Sequence, residues 1–286
     1  MSRKKELEIK GIFVLVVLVF LIFLLVPLTR LFLKSFVGDA GLTPDFYGEV
    51  LTGRGFLRAF GNSLAISSVS AVVTTLLAFI LAYGVHYCNL PGRYKGFISR
   101  AAVAPMLLPT ITYGFAIIYS FGKQGLITRL FGTQLFDIYG FNGLLLGYVI
   151  YTLPVSFLLL SNTMSYIDKK FSVVSRIMGD SPFATFVGTV LRPLLGTLAA
   201  SFVQCFFLCF TDYGIPASVG GEYEVAATVL YNEMLGSVPN FSRGACVAML
   251  MLIPSVVTIA LLHYLEKYNI RYNKISQKSD RSHVVL

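Results

Sequence analysis

Hydrophobic residues in this chain are gathered into long runs that contain no charged side chain. Six of these runs exceed the roughly 18 apolar residues that a helix needs to cross the hydrocarbon core of a bilayer. The runs lie between Lys10 and Arg30 (19 residues), Arg58 and Arg93 (34), Arg100 and Lys123 (22), Asp137 and Asp168 (30), Arg192 and Asp212 (19), and Arg243 and Glu266 (22). They predict six transmembrane helices, because lipid offers no hydrogen-bond partner to an unpaired backbone amide. A membrane β-barrel would instead show alternating segments of about ten residues.

Basic residues are divided unequally between the two sides of the six predicted spans. Both tails and the loops after the second and fourth spans share one side, which carries 16 of the 23 Lys and Arg residues, and the other side carries the remaining 7. Basic loops resist translocation and stay in the cytoplasm. We therefore predict an N-in, C-in all-α membrane protein with a cytoplasmic tail at 1–10, a six-helix membrane domain at 11–266 and a second cytoplasmic tail at 267–286.

Composition excludes several classes of protein. Hydrophobic residues make up 56% of the 286 residues and charged residues 13%, and the mean hydropathy is +0.74. A soluble domain has about 45–50% apolar and 25% charged residues, so a soluble enzyme is excluded. The net charge of +9 is explained by the basic cytoplasmic segments and their attraction to anionic lipid, and it indicates no nucleic-acid partner.

Residues capable of catalysis or metal binding are few and scattered. Cys205 and Cys209 share a helix face, but no further ligand follows at a zinc-like spacing, so packing within a span is the preferred interpretation. The sequence contains no helical His/Glu pattern, nucleophile elbow, Walker motif or pair of catalytic carboxylates. We predict that the chain is not an enzyme and that it binds no metal and no cofactor of its own.

The loop between the fourth and fifth spans, residues 164–196, carries local signals of two short helices on the cytoplasmic side. Asp168 is a candidate cap for the first helix, and Gly179 is its expected C-terminal stop. Ser181 is the expected N-cap of the second helix. A proline at the first helical position and an apolar stripe follow before Pro193: Pro182, Phe183, Phe186, Val187 and Val190. Such a helix-Gly-helix pair would pass a partner's movement to the flanking spans.

This loop resembles the cytoplasmic loop of the permease subunits of binding-protein-dependent ABC importers. That family has a pattern close to Glu-Ala-Ala, three residues, Gly, and an apolar stretch ending in Leu-x-Pro. The downstream half of the pattern matches at Gly179, Ser181, Pro182, Phe186, Leu191 and Pro193. The upstream half is degenerate, because the Glu-Ala-Ala positions fall on Val173, Val174 and Ser175. The resemblance implies a set of ATPase-coupling residues: Val173, Val174, Ser175, Gly179, Asp180, Ser181, Pro182, Phe183 and Phe186.

Similarity to the same family extends beyond the loop. Family-like segments occur in order at Asn62-Ser-Leu, at Pro105 with Pro109, at Phe121-Gly-Lys-Gln-Gly125 and at Thr152-Leu-Pro154. The stretch Thr211-Asp-Tyr-Gly-Ile-Pro216 is similar to permeases for iron(III), 2-aminoethylphosphonate, polyamines and thiamine. The iron and phosphonate members look most similar, and polyamine, thiamine and sulfate rank behind them. The resemblance also implies a multi-pass location in the bacterial inner membrane.

The family mechanism implies several partners. An extracellular or periplasmic solute-binding protein delivers the solute, two permease subunits form the path, and two identical cytoplasmic ATPases bind ATP and Mg²⁺ and drive the switch between states. The degenerate positions Val173, Val174 and Ser175 favour a heterodimer with a second, related permease over a homodimer.

Several residues are candidates for the path or for docking. The path or gate candidates are Asp212, Tyr213, Pro154 and Asn162. A carboxylate near hydrocarbon is costly, so Asp212 either contacts a cationic substrate or a gating partner, or lies at the outer boundary with its head group in water. Glu222 and Glu224, in the long outer loop, either dock a basic patch of the binding protein or form a solvated pair.

Prolines and glycines inside the spans carry two interpretations. They can mark positions where helices bend or pack closely, or they can reflect ordinary membrane-helix packing, where both residue types are common. The positions are Pro27, Pro105, Pro109, Pro154, Gly84, Gly114 and Gly147.

A self-sufficient, ion-coupled secondary transporter or channel is the alternative function. It would need ionisable residues in mid-membrane or an inverted internal repeat. Asp212 lies near the edge of a span, and the sequence shows no convincing repeat. An ATPase and an exported binding protein encoded beside this chain would support the importer instead.

Overall fold

The computed structural model describes the backbone of residues 3–38 and 41–281, and side chains within 9–38, 41–53 and 55–264. The predicted tails 1–10 and 267–286 therefore fall partly outside the described residues. The helices are α1 (Arg3–Lys34), α2 (Asp45–Thr52), α3 (Arg54–Tyr87), α4 (Gly92–Val103), α5 (Thr110–Phe121), α6 (Leu126–Phe131), α7 (Phe141–Tyr166), α8 (Lys170–Ile177), α9 (Pro182–Phe186), α10 (Arg192–Thr211), α11 (Gly214–Val219), α12 (Ala226–Leu235) and α13 (Phe241–Arg281). A 3₁₀ turn (Ala104–Leu107), a π turn (Val187–Leu191) and the strands β1 (Val37–Gly38) and β2 (Gly41–Leu42) complete the elements.

One compact unit consists of Met1–Leu57 and Val229–Leu252. After α1, β1 and β2 form a short antiparallel hairpin. The first turn of α13 is tied to this hairpin, since Ser242 Oγ donates to the carbonyl of Val37 at 2.9 Å.

The other compact unit consists of Arg58–Thr228 and Ile253–Leu286. In it, α10 packs along α7, and short hydroxyl side chains join α7, α10 and α3. The hydroxyls of Ser156 and Ser201 lie 2.5 Å apart. Interhelical hydrogen bonds between small residues are a typical way for membrane helices to associate, because the small side chains also let the backbones approach.

An apolar core lies beside these hydroxyl contacts. It is formed by buried residues of α3, α4, α7, the π turn and α10: Ala78, Ala82, Ala102, Phe157, Leu160, Met164, Val190 and Leu194. Met164 begins the predicted coupling loop and Val190 and Leu194 lie within it, so this core includes residues of the loop itself.

Five helical segments of the described chain are long and apolar enough to cross a membrane. They are Ile9–Lys34, Gly55–Tyr87, Phe141–Tyr166, Pro182–Thr211 and Phe241–Tyr264. A sixth candidate consists of two segments, Gly92–Leu107 and Thr110–Phe131, that meet at an angle of 112°. The structure thus contains five to six candidate spans.

The predicted third span, between Arg100 and Lys123, does not form one straight helix. Leu108 is extended, with φ −109° and ψ 143°, and Pro109 is extended as well. The bend follows from Pro109, which lacks an N–H group and disfavours helical geometry at the residue before it. The 12 residues of α5 reach only about 18 Å, less than the roughly 30 Å of a hydrocarbon core.

The helix after the predicted coupling loop is longer than the sequence pattern indicates. It runs through Pro193, where we expected the second loop helix to end, and the candidate span already begins at Pro182. The N–H of Arg192 donates to the carbonyl of Val187, five residues back, which makes a π turn just before Pro193. This wider turn places Pro193 in the first turn of α10, where a missing N–H is tolerated. Residues 187–196 of the predicted loop are thus helical and continue into the candidate span that ends at Thr211.

Prolines and glycines of the spans have different effects. Pro27 and Pro154 lie inside the continuous helices α1 and α7. A Cβ on Gly147 would lie 2.7 Å from a methyl group of Ile215, so this glycine permits close packing, whereas a Cβ on Gly84 would meet nothing within 4 Å.

Candidate functional site

The end of α8 is a tight turn built around Gly179. This residue has φ +87°, in the left-handed region that costs an L side chain free energy. The N–H of Gly179 donates to the carbonyl of Arg176, and the N–H of Asp180 donates to the carbonyl of Ser175, each at 3.1 Å. These two bonds form a Schellman motif, which satisfies the last carbonyls of α8.

A side-chain oxygen accepts a backbone N–H at the start of each loop helix, and in α9 this oxygen belongs to the N-cap residue itself, whereas in α8 the N-cap is Lys169. Asp168 Oδ1 accepts the N–H of Lys170 at 2.9 Å, at the start of α8. Ser181 is the N-cap of α9, and its Oγ accepts the N–H of Ala184 at 3.2 Å, with Pro182 at the first helical position. The local signals read from the sequence are therefore present in the structure.

Hydroxyl contacts hold α8 against the helix that follows. Ser175 Oγ lies 3.0 Å from Thr185 Oγ1 and donates to Asp180 Oδ2 at 2.5 Å. Ser172 Oγ lies 2.9 Å from Thr189 Oγ1, in the π turn. Thus Ser175, at one of the degenerate Glu-Ala-Ala positions, fixes the geometry of the turn.

Apolar side chains cover the outside of this hairpin. We call them the loop apolar face, and their exposed fractions range from 50% for Val174 to 80% for Ile177. The face consists of Phe171, Val173, Val174, Ile177, Met178 and Phe183. Exposed apolar clusters typically mark interaction surfaces. Ile177 was absent from the predicted coupling set, although it lies four residues after Val173 and so shares its helix face.

Phe186, three residues after Phe183, is partly buried and packs against the spans. Its ring packs edge-to-face against Tyr83 and Phe79 of α3, with centroid separations of 5.6 and 6.3 Å. The predicted coupling residues thus divide into three groups: exposed valines and Phe183, the residues of the turn, and one aromatic anchor in the core.

Lys169 ties the start of the loop to the end of α3. Its Nζ donates to the carbonyl of His86 at 2.7 Å and lies 5.6 Å from the ring centroid of Tyr87. His86 Nε2 in turn lies 2.8 Å from Ser161 Oγ of α7. In the sequence, Lys169 contributed only to the charge asymmetry, because no local signal reveals a contact with residues more than 80 positions away.

Asp212, a candidate path residue, lies just after α10 and is only 9% exposed. Its Oδ2 accepts the N–H of Ile215 at 2.9 Å, and it is also hydrogen-bonded to Gly214 and to the side chain of Thr110. The carboxylate therefore caps the short helix α11 from within the protein.

Helix α11 lies unusually close to α5. A Cβ on Gly214 would lie 2.2 Å from Thr110 Oγ1, and a Cβ on Gly114 would lie 1.6 Å from Ser218 Oγ. Both glycines are required for this contact, because any larger side chain would force the helices apart.

Two tyrosines accompany Asp212 that the sequence did not single out. Tyr113 and Tyr151 lie near Asp212, and their ring centroids are 6.0 Å apart. Pro154 is buried in the middle of α7. Asn162 is exposed and lies eight residues further along this helix, or about 12 Å along its axis.

The predicted docking residues Glu222 and Glu224 lie in the connection between α11 and α12, and both are exposed. The backbone of this connection is tied to α3, since Asn62 Nδ2 donates to the carbonyl of Glu224 at 2.9 Å and Tyr223 Oη donates to the carbonyl of Asn62 at 3.4 Å. Burial raises the pKa of Tyr223 above its usual value. The two carboxylates are thereby presented from a fixed segment.

Among the residues whose positions the structure gives, no three His, Cys, Asp or Glu side chains come together as a set of metal ligands. Cys205 and Cys209 are buried as free thiols within α10. Cys205 Sγ faces the carbonyl of Thr152 at 3.9 Å.

Known proteins are similar to this chain in sequence and in fold. Residues 74–269 match the family of binding-protein-dependent transport system inner membrane components. The chain is 26% identical over 281 residues to the ferric transport system permease protein FbpB of Actinobacillus pleuropneumoniae, which covers 96% of this chain and 40% of that protein. The chain thus spans about two fifths of that relative's length. It is also 24% identical over 258 residues to the sulfate transport system permease protein CysT of Synechococcus elongatus, covering 87% and 89% of the two chains.

A solved structure matches the fold over nearly its whole length. It is a chain of the bacterial alginate ABC transporter, crystallised with an alginate pentasaccharide-bound periplasmic protein. The match has a TM-score of 0.74 at 12% identity and covers 94% of this chain and 96% of that chain. The family match, which includes the α8–α9 hairpin and most candidate spans, identifies the chain: it is a multi-pass inner-membrane protein and belongs to the permease family of binding-protein-dependent ABC transporters.

Proposed function

We propose that this chain forms half of the translocation path of an ABC importer and is driven through the α8–α9 hairpin. The observation that carries the proposal is the loop apolar face, which lies exposed on a hairpin that Phe186 and Lys169 anchor to the spans. A surface of this kind suits a protein partner that moves the spans.

The proposed partner at this face is a cytoplasmic ATPase, present as an identical pair that binds ATP and Mg²⁺. This chain contributes no nucleotide site in the proposal, and its conformational energy comes from the partner. The excess of Lys and Arg on the loop side, 16 against 7, supports six spans with the hairpin and the tails 1–10 and 267–286 in the cytoplasm.

A second permease completes the path in this proposal, and a related chain is preferred over a second copy. The side chains of Val173, Val174 and Ser175 replace the acidic and small residues of the family pattern. The matched relative FbpB has about three fifths of its length outside the aligned region, 100% minus 40%, which leaves room there for a second unit of this size.

The proposed solute is iron(III), delivered by an extracellular binding protein that docks near Glu222 and Glu224. Similarity to the ferric transport permease FbpB supports iron, and the Thr211–Pro216 segment supports iron or a phosphonate such as 2-aminoethylphosphonate. Asp212, Tyr213, Pro154 and Asn162 remain the proposed path or gate residues. Uptake of radiolabelled iron(III) and of the phosphonate by proteoliposomes holding the complex, with each binding protein in turn, tests the solute directly.

Truncation of one aromatic side chain tests the docking face. Phe183→Ala removes a 76% exposed ring from the loop apolar face, and Tyr94→Ala removes a 63% exposed ring from α4 on the same predicted side. Loss of an aromatic anchor from an interface costs about 2 kcal/mol, or roughly 30-fold in affinity. We expect Phe183→Ala to weaken ATPase binding by about this factor and to reduce binding-protein-stimulated hydrolysis, and Tyr94→Ala to have little effect on either.

Equal ATPase affinity in the two variants would show that the ATPase does not dock on this face. Uptake that continues without ATP but follows an ion gradient would instead support the secondary transporter.

A further inference from the structure

A pocket of about 540 Å³ opens at the connection between α5 and α7, residues 122–140, away from the coupling loop. Its polar walls are Tyr119, Lys123, Gln124, Arg129 and Tyr139. None of these residues has a role in the proposed import mechanism.

The pocket has a strongly positive lining. Lys123 and Arg129 both line it, and no acidic residue does. Within the described part of the chain, neither cation is in a salt bridge. Asp137, in the same connection, accepts the backbone N–H of Tyr139 at 3.0 Å and does not line the pocket. Two cations with a nearby amide and two phenols suit an anionic oxygen ligand such as a phosphate group.

The pocket lies where two apolar helices end. Helix α5 ends at Phe121 and α7 begins at Phe141, so both pocket cations lie beyond apolar segments. Tyrosine rings favour this boundary, and Lys and Arg can extend their charged ends from it towards water.

Exposed apolar side chains stand beside the charged ones. In α6, Leu126, Leu130 and Phe131 are 66%, 74% and 67% exposed, and Arg129 lies among them in the sequence. A free anion would leave these side chains unused, whereas an amphiphile would cover them with its acyl chains while its head group enters the pocket.

We propose that this pocket binds the phosphate head group of an anionic phospholipid, such as phosphatidylglycerol, with its acyl chains lying along α6. Lys123 and Arg129 supply the charge, and the two tyrosines and Gln124 supply hydrogen bonds. The proposal depends neither on the transported solute nor on the coupling loop.

The test measures lipid binding to the detergent-purified complex. Phosphatidylglycerol or phosphatidylcholine is added to the complex in a neutral detergent. Native mass spectrometry then counts the lipid molecules bound per permease chain. The variant is Lys123→Gln with Arg129→Gln. The matched control is Lys34→Gln with Arg58→Gln, which removes one Lys and one Arg from the same predicted side outside the pocket. Thermal unfolding midpoints establish that both variants remain folded.

We expect wild type and control to bind phosphatidylglycerol in preference to phosphatidylcholine. The pocket variant should bind phosphatidylglycerol about 25-fold more weakly, because each of the two cations contributes roughly fivefold. Equal binding by the two variants, or no preference between the lipids, would overturn the proposal. Saturable binding of inorganic phosphate without phosphatidylglycerol would assign the pocket to a free anion. Loss of binding-protein affinity in the pocket variant with unchanged lipid binding would assign it to a protein interface, and the lipid proposal would be wrong.

Discussion

The two ends of the helix from Pro182 to Thr211 are built differently. At the Pro182 end, a Cβ on Gly179 would meet nothing within 4 Å, and six apolar side chains lie exposed nearby. At the Thr211 end, Asp212 is buried and hydrogen-bonded, and Gly214 leaves no space for a side chain against Thr110.

This difference separates two kinds of requirement. At the exposed end the loop apolar face leaves six side chains uncovered by the chain itself, so these residues should matter mainly when a partner is bound. The packed end is completed by the chain itself, so its residues should matter for stability with or without partners. Equivalent glycine substitutions at the two ends should therefore change different measurements.

The largest expected effect is on stability, from Gly214→Ala. The new Cβ would lie 2.2 Å from Thr110 Oγ1 and 2.8 Å from the backbone nitrogen of Ile111, and the latter cannot rotate away. Overpacking of this kind costs about 1–3 kcal/mol, which lowers a thermal midpoint by several degrees. Differential scanning fluorimetry of the purified complex measures the midpoint.

Gly84→Ala in α3 is the control, since its Cβ would meet nothing within 4 Å. Its midpoint should stay constant or rise, because alanine is the better helix former. A midpoint for Gly214→Ala as high as that of this control would show that α11 is free to move away from α5.

The next effect is on coupling, from Gly179→Ala. The φ of +87° costs an alanine about 1–2 kcal/mol, and releasing this strain would displace the end of α8 with Ile177 and Met178. We expect binding-protein-stimulated ATP hydrolysis to fall about five- to thirtyfold. The thermal unfolding midpoint should change less than it does in Gly214→Ala.

Gly92→Ala is the matched glycine control for hydrolysis, because it also meets nothing within 4 Å and has no left-handed φ. Full stimulation of ATP hydrolysis in Gly179→Ala would show that the turn at the Pro182 end is not required for coupling.

The smallest effect is expected from Lys169→Met, which removes the bond to the His86 carbonyl while keeping most of the side-chain length. Since Lys169 is exposed and solvent competes for its charge, we expect only a two- to fivefold loss of stimulated hydrolysis. Lys170→Met is the control, because Lys170 interacts through its backbone N–H with Asp168. Equal hydrolysis in the two variants would show that Lys169 does not transmit movement from the hairpin to the spans and that Phe186 alone does so.

Local signals predicted the hairpin well and the packed end poorly. Gly179, Ser181 and Pro182 act on backbone atoms within a few residues, so their roles can be read from the sequence. The contact of Gly214 with Thr110, and that of Lys169 with His86, join residues about 100 and 83 positions apart. No pattern of hydrophobic spacing contains that information. Likewise, counting charge-free residues revealed the third apolar run but not its 112° bend, which depends on one proline.

The continuity of the helix from Pro182 to Thr211 sets how rotation is transmitted. Its 30 residues make a rod about 45 Å long. A force that rotates the helix at Phe183 would also rotate it at Asp212. Only a change of helical twist in the π turn could absorb part of this rotation. One residue corresponds to about 100° of helix. Deleting a single residue from Val187–Leu191 would thus turn the loop apolar face by about that angle relative to Asp212, so this turn fixes the angular phase between the two ends.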